Sequence, residues 1–269
     1  MDRVSGPAGA RDASTPLLEV SDLTLRFGGV TALREVSFEV GYDELFAVIG
    51  PNGAGKTSIF NCLNAVYRPQ AGRIRFEGID IVGKRPPVTA HMGISRTFQN
   101  LGLFVNLNVI DNLMLGRHHL MKTGFVTGAL WWPWAKREEV ANRRRVEEII
   151  ELIELGPYRY QPVGMLPFGV QKRVELGRAL AMEPRLLLLD EPVSGMNLEE
   201  TEDMARYILQ IRDELHLSMI LVEHDMHLVM DIADRVLVLD FGRSIALGPP
   251  DQVQSDPKVI EAYLGQPAS

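Results

Sequence analysis

The chain has 269 residues, 46% of them apolar and 23% charged, enough for one large domain or a domain with a subdomain. Its formal net charge of −7 argues against a general nucleic-acid binder, because phosphate backbones reward a basic face. No run of about 18 uninterrupted apolar residues is present, so no membrane-spanning helix is expected; the single cysteine, Cys62, excludes an internal disulfide and suits a reducing compartment.

Residues 1–16 are rich in Gly, Ala, Ser and charge and are expected to form a disordered tail. Arg3 and Arg11 occur there without an apolar core, so no secretion signal is expected. Short alternating runs follow: Leu18-Glu19-Val20, Ser37-Phe38-Glu39-Val40 and Arg73-Ile74-Arg75-Phe76. Alternation predicts a sheet with one wet face. By contrast, Leu45-Phe46-Ala47-Val48-Ile49 is apolar throughout, as a strand buried on both faces should be.

That run feeds Gly50-Pro51-Asn52-Gly53-Ala54-Gly55-Lys56-Thr57, which fits G-x-x-x-x-G-K-[ST] at every fixed position. Glycines let successive backbone N–H groups turn inward around phosphate oxygens. A helix opening at Ser58 would point its partially positive N-terminus at the same anion. Lys56 is placed to reach the β- and γ-phosphates, and the Thr57 hydroxyl to bind Mg²⁺. Cys62 falls in this helix and reads as a small buried residue.

From about residue 100 to 180 the pattern turns helical, with Val146, Ile149, Ile150 and Ile153 at i, i+3, i+4, i+7, and Gly156-Pro157 as a stop. The flanking Arg143-Arg144-Arg145 run lies among glutamates and reads as a solvated mixed-charge face. His118 and His119 read as solvated loop residues. Trp131-Trp132-Pro133-Trp134 has two readings: a patch that touches a membrane partner or lipid, or an aromatic cluster packing on its own insertion.

Leu186-Leu187-Leu188-Leu189 then runs into Asp190-Glu191-Pro192. An apolar strand ending in an acidic pair is where a nucleotide-binding α/β sheet presents its catalytic edge. Asp190 is the candidate Mg²⁺ holder and Glu191 the candidate general base for the attacking water. Two more apolar runs, Met219-Ile220-Leu221-Val222 and Val236-Leu237-Val238-Leu239, complete a parallel-sheet pattern, and residues 253–264 read as one short terminal helix.

On these motifs the chain resembles the nucleotide-binding subunit of an ATP-binding cassette (ABC) transporter, over nearly its whole length from about Leu17. The resemblance implies a P-loop NTPase core with a mostly parallel sheet, an antiparallel β subdomain and a helical insertion. It assigns residues 17–250 to the ATPase domain, about 100–180 to the insertion and 251–269 to a C-terminal helical extension. It further implies ATP and Mg²⁺ as ligands, with Gly50 through Ser58 on the phosphates. Phe27 matches the adenine-stacking aromatic, with a strand-core ring as the alternative. Gln99, in Arg96-Thr97-Phe98-Gln99-Asn100, matches the glutamine that contacts Mg²⁺ and the attacking water. His224 matches the switch histidine at the γ-phosphate. Ser194-Gly195-Met196-Asn197 matches the loop that crosses the dimer seam.

One landmark departs from the pattern. Where the family has Leu-Ser-Gly-Gly-Gln, this chain has Leu166-Pro167-Phe168-Gly169-Val170 before Gln171-Lys172-Arg173. The serine hydroxyl is gone; Leu166, Gly169 and the helix N-terminus would serve the nucleotide through main chain and dipole. A Leu-Pro-Phe/Tyr-Gly segment is the habit of the larger ATP-binding subunit of branched-chain amino acid importers. The stretches 93–99, 118–125 and 256–265 look like that subgroup too. Related importers of urea, amides and aromatic acids, a lipopolysaccharide exporter, and soluble cassettes in translation or DNA repair stand as alternatives. The resemblance implies integral-membrane permease subunits, a second ATP-binding subunit (paralogue or self), an indirectly coupled extracytoplasmic solute-binding protein, no nucleic acid, and a location on the cytoplasmic face of the inner membrane.

Overall fold

The unbroken apolar runs and the alternating runs build two different sheets. The structure, a computed structural model, describes residues 15–97, 102–118, 120 and 133–264. Gln99, His119, Trp131, Trp132 and the expected tail up to residue 14 lie outside the described residues. The first sheet is antiparallel, in the order β2-β1-β4-β5, from β1 (Leu18–Phe27), β2 (Val30–Val40), β4 (Ala71–Phe76) and β5 (Ile79–Asp80). The second has six strands in the order β10-β9-β3-β8-β7-β6. Its members are β3 (Leu45–Ile49), β6 (Ile94–Arg96), β7 (Leu186–Asp190), β8 (Ser218–Val222), β9 (Arg235–Asp240) and β10 (Arg243–Gly248). All its pairings are parallel except β9–β10.

Each apolar run of the parallel sheet is two interleaved sets of side chains, because successive residues point to opposite faces. Leu45, Ala47 and Ile49 join one core with Leu187, Leu189, Met219 and Leu221. On that face lie α3 (Val109–Arg117), α4 (Pro133–Leu152), α5 (Phe168–Leu180) and α6 (Leu198–Leu215). Phe46 and Val48 join the other core with Leu186, Leu188, Ile220 and Val222. There they meet α1 (Lys56–Leu63) and the antiparallel sheet, through Ile59, Phe60, Val20, Phe38 and Ile74. Strands β3, β7 and β8 are thus buried on both faces, which is why they carry no wet alternation.

Local chemistry explains the helix boundaries. Asn108 caps α3, its Oδ1 accepting from the Asp111 N–H at 2.8 Å. Asn197 and Glu200 form a reciprocal capping box on α6. Cys62 is buried in α1, as expected. Two expectations need correction. The strands of the antiparallel sheet are longer than the short alternating runs suggested, with β1 and β2 joined by register shifts at Val20/Leu23, Leu23/Leu25 and Leu25/Arg26 that break the alternation. The terminal segment is two helices, α8 (Pro250–Gln254) and α9 (Pro257–Leu264); α2 (Pro86–His91) and α7 (Met226–Ile232) are the other short α-helices among the described residues. Pro257 supplies no N–H and cannot continue a helix through Ser255 and Asp256.

Candidate functional site

Three strand ends converge on one edge of the parallel sheet. β3 delivers the phosphate-loop sequence, β7 delivers Asp190 and Glu191, and β8 delivers Glu223 and His224. β3 and β8 are direct neighbours and β8 pairs in turn with β7, so parallel register brings these ends together. Asp190 sits opposite Val222 in that register.

The loop's glycines are needed for two separate reasons. Gly50, Gly53 and Gly55 have φ of 148°, 80° and 110°, a region side chains disfavour. At Gly50 a Cβ would stand 2.1 Å from the Leu239 carbonyl oxygen, and at Gly55 2.7 Å from that of Ala32. The β9–β10 turn braces the loop from outside: Gly242 N–H donates to Ala54 O at 2.9 Å, and Arg34 N–H donates to Gly242 O at 2.7 Å. Asn52, Gly53 and Thr57 are exposed, while Pro51, Ala54 and Lys56 are buried and Ser58 is half-buried. Gly55 caps α1 without a side-chain hydrogen bond, leaving first-turn N–H donors for an anion.

Lys56 folds back into its own loop, donating from Nζ to Gly50 O at 2.5 Å and to Pro51 O at 3.0 Å. Burial pulls its pKa down, and the nearby carboxylates of Glu191, Asp190 and Glu223 push it back up. A buried cation over a glycine nest fits a nucleotide phosphate chain.

Asp190 is almost fully buried, and its Oδ2 pairs with Arg96 Nη2 at 2.6 Å. Arg96, at the end of β6, also donates from Nη1 to Asn61 Oδ1 at 2.7 Å and lies over the Phe60 ring. The Asp190 N–H donates to Thr97 Oγ1 at 3.1 Å, and the Thr97 N–H donates to Leu188 O at 2.9 Å. Glu191 follows with φ of 48°, the left-handed region, its N–H donating to Val222 O at 2.9 Å.

Glu223 is fully buried, one oxygen accepting from the Val193 N–H at 3.1 Å and the other from the His224 N–H at 3.0 Å. Burial raises its pKa, opposed by those backbone donors. The His224 ring is well exposed, with Nδ1 3.7 Å from Glu223 Oε2.

Phe27 ends β1 exposed, meeting Tyr67 edge-to-face with ring centroids 5.0 Å apart, so it is not a strand-core ring. Leu166 and Gly169 are buried, whereas Phe168 and Met165 are exposed. This segment packs within its own chain on the loop after Glu191 and the start of α6: a Cβ at Gly195 would meet Phe168, and one at Gly169 would meet Glu200 at 2.6 Å. The residues that sequence reasoning passed over are Arg96, Asn61, Glu223 and Gly242. Arg96 enters the sequence reading only as a neighbour of Gln99.

Thr57 and Asp190 offer the hard oxygen donors Mg²⁺ prefers, so they fit that ion. No group of three or more His, Cys, Asp or Glu that could hold a metal occurs among the described residues.

A glycine phosphate nest on a parallel sheet, an acidic strand end beside it, an antiparallel subdomain and a helical layer together define a nucleotide-binding cassette. Residues 33–194 match the ABC transporter family, and residues 243–269 match the branched-chain amino acid ATP-binding cassette transporter family. Over 253 residues the chain is 40% identical to the high-affinity branched-chain amino acid transport ATP-binding protein BraF of Pseudomonas aeruginosa, covering 94% of this chain and 99% of that protein. It is 39% identical to LivG of Escherichia coli K12, of the same description, at the same coverage. Among solved structures, a nucleotide-free ATP-binding cassette from an ABC transporter superposes with a TM-score of 0.81 at 29% identity, covering 94% of this chain and all of that one. The ADP conformation of an ABC transporter cassette gives 0.82 at the same identity and coverage. The chain belongs to the ABC transporter family, as one of its ATP-binding, ATP-hydrolysing subunits.

Proposed function

We propose that this chain is the ATP-hydrolysing subunit of an importer for branched-chain amino acids. The observation that carries the cargo reading is the match of residues 243–269 to the branched-chain family, in a chain 40% identical to BraF over 94% of its length. In this reading residues 50–58 hold the phosphates, with Lys56 on the β- and γ-phosphates and Phe27 against the adenine. Thr57, Asp190 and Gln99 would hold Mg²⁺, which would offset charge building on the transferring phosphate. Glu191 takes the proton of the attacking water, and His224 donates toward the γ-phosphate. Leu166, Gly169 and the start of α5 close over the nucleotide of a second ATP-binding subunit; their packing on Gly195 and Glu200 of their own chain supports that division of labour.

Residues 17–250 act as the ATPase domain, with the insertion at about 100–180 as the relay and 251–269 as the extension. The buried Asn112 supports the relay: its amide accepts from Phe104 N–H and donates to Phe104, Leu107 and Asn108 carbonyls. This holds a loop that displays the exposed side chains of Phe104 and Val105. An exposed apolar pair on a braced loop suits contact with a permease. No described helix is long and apolar enough to cross a membrane. The likeness to transport ATP-binding proteins supports integral-membrane permease subunits as partners, with a solute-binding protein on the far side and this chain on the cytoplasmic face of the inner membrane.

The test is uptake of labelled leucine, isoleucine and valine by cells of the source organism lacking this chain, restored with the parent or the Glu191→Gln variant. Recovery by the parent alone supports the reading. Unchanged leucine uptake on deletion, with loss of urea, amide or aromatic-acid uptake, overturns the cargo assignment.

A further inference from the structure

The carboxylate of Glu223 spans the two loops in which the chemistry is placed. It has no exposure, and its two oxygens point to different partners. Oε1 takes the Val193 N–H at 3.1 Å, two residues past Glu191; Oε2 takes the His224 N–H at 3.0 Å. A third link lies alongside, from Glu191 N–H to Val222 O at 2.9 Å. A buried carboxylate is tolerated when hydrogen bonds replace its water, and here the donors are main-chain groups of the base-bearing loop and the histidine-bearing loop. Main-chain donors fix backbone position, so this side chain sets the distance between two loop backbones.

We propose that Glu223 is a positioning residue for hydrolysis, a clamp that makes the Glu191 loop and the His224 loop move as one unit. This rests on the reading of Glu191 as base and His224 as switch. A glutamine at 223 keeps the shape but turns one acceptor into a donor that faces an N–H. One leg of the clamp then opens while the nucleotide nest of residues 50–57 stays intact.

The experiment compares parent, Glu223→Gln, Glu191→Gln, His224→Ala and the Glu223→Gln/His224→Ala double variant, as full chains assembled with their membrane partners. In Glu223→Gln, kcat should fall about tenfold while the Kd for Mg-ATP stays within about twofold. The same change in the His224→Ala background should have little further effect, because the clamp acts through that loop. Backbone amide exchange at Val193 and His224, read by NMR on the full chain, should quicken at both sites together. Unchanged kcat, a Kd that rises in step with any loss, or a full further tenfold loss without His224 would overturn the clamp. Should Glu223→Gln fail to fold, the parent decides: matched exchange protection at the two amides, shifting together on nucleotide addition, supports the clamp, and independent rates overturn it. Full turnover in Glu191→Gln would instead strike the underlying base assignment, leaving the two failures distinguishable.

Discussion

Arg96 Nη2 lies 2.6 Å from Asp190 Oδ2, an ion pair between side chains 11% and 1% exposed. The residue proposed to bind Mg²⁺ is therefore already satisfied by a cation from the neighbouring strand. Desolvated pairs are weak net stabilisers, yet stripping one partner strands the other charge. Arg96→Met should lower unfolding free energy by about 3–5 kcal/mol in a urea titration. Adding Asp190→Asn should recover most of that loss, because no buried charge is left alone. A loss under about 1 kcal/mol in the single variant would mean that the pair does not form in solution.

The phosphate loop separates conformational from steric demands on glycine. At Gly53 nothing lies within 4 Å of a would-be Cβ, but φ is +80°. Gly53→Ala should therefore cost about 1–2 kcal/mol, the left-handed penalty alone. At Gly50 the same methyl meets a carbonyl oxygen of β9 at φ of +148°. Gly50→Ala should cost about 3 kcal/mol or more. Equal melting temperatures for the two variants would contradict the packing of β9 against the loop.

Burial pushes the Cys62 thiol up from 9.0 to about 12. In the folded chain it stays a neutral thiol at pH 8, so iodoacetamide should modify it only after urea is added. An acid whose folded pKa is raised stabilises the fold fully below its unfolded value and loses that contribution as pH rises above it. Between about pH 9 and pH 10.5 the parent should lose up to about 2 kcal/mol more stability than Cys62→Ala. Rapid native alkylation would show that the α1 face opens.

Lys56 is the one loop side chain that contacts its own carbonyls, at Gly50 and Pro51. Charge-assisted contacts contribute about 1.5–3 kcal/mol each. Lys56→Ala should weaken Mg-ATP binding about 10–100-fold in a calorimetric titration. Unaltered affinity would place the phosphates elsewhere.

What could be read from the residues alone was the part written locally. The apolar run of β3, the loop after it and the acidic end of β7 each announce themselves within a dozen residues. Partners remote in sequence did not. Arg96 meets Asp190 across 94 positions, and Val193 meets Glu223 across 30. Periodicity tells which face a residue takes, not which strand stands beside it. The long strands of the antiparallel sheet were underread because register shifts spoil period two. The single terminal helix expected over 253–264 is two, and Pro257 is the local signal that marks the break between α8 and α9.

In the proposed reading this site hydrolyses ATP with Glu191 as base once two subunits close. The most direct measurement is ATP turnover and nucleotide-dependent association of Glu191→Gln, assembled with its transport partners. Turnover should fall by roughly 10²–10⁴-fold, with Mg-ATP still bound and holding the subunits together. Turnover near that of the parent would contradict it.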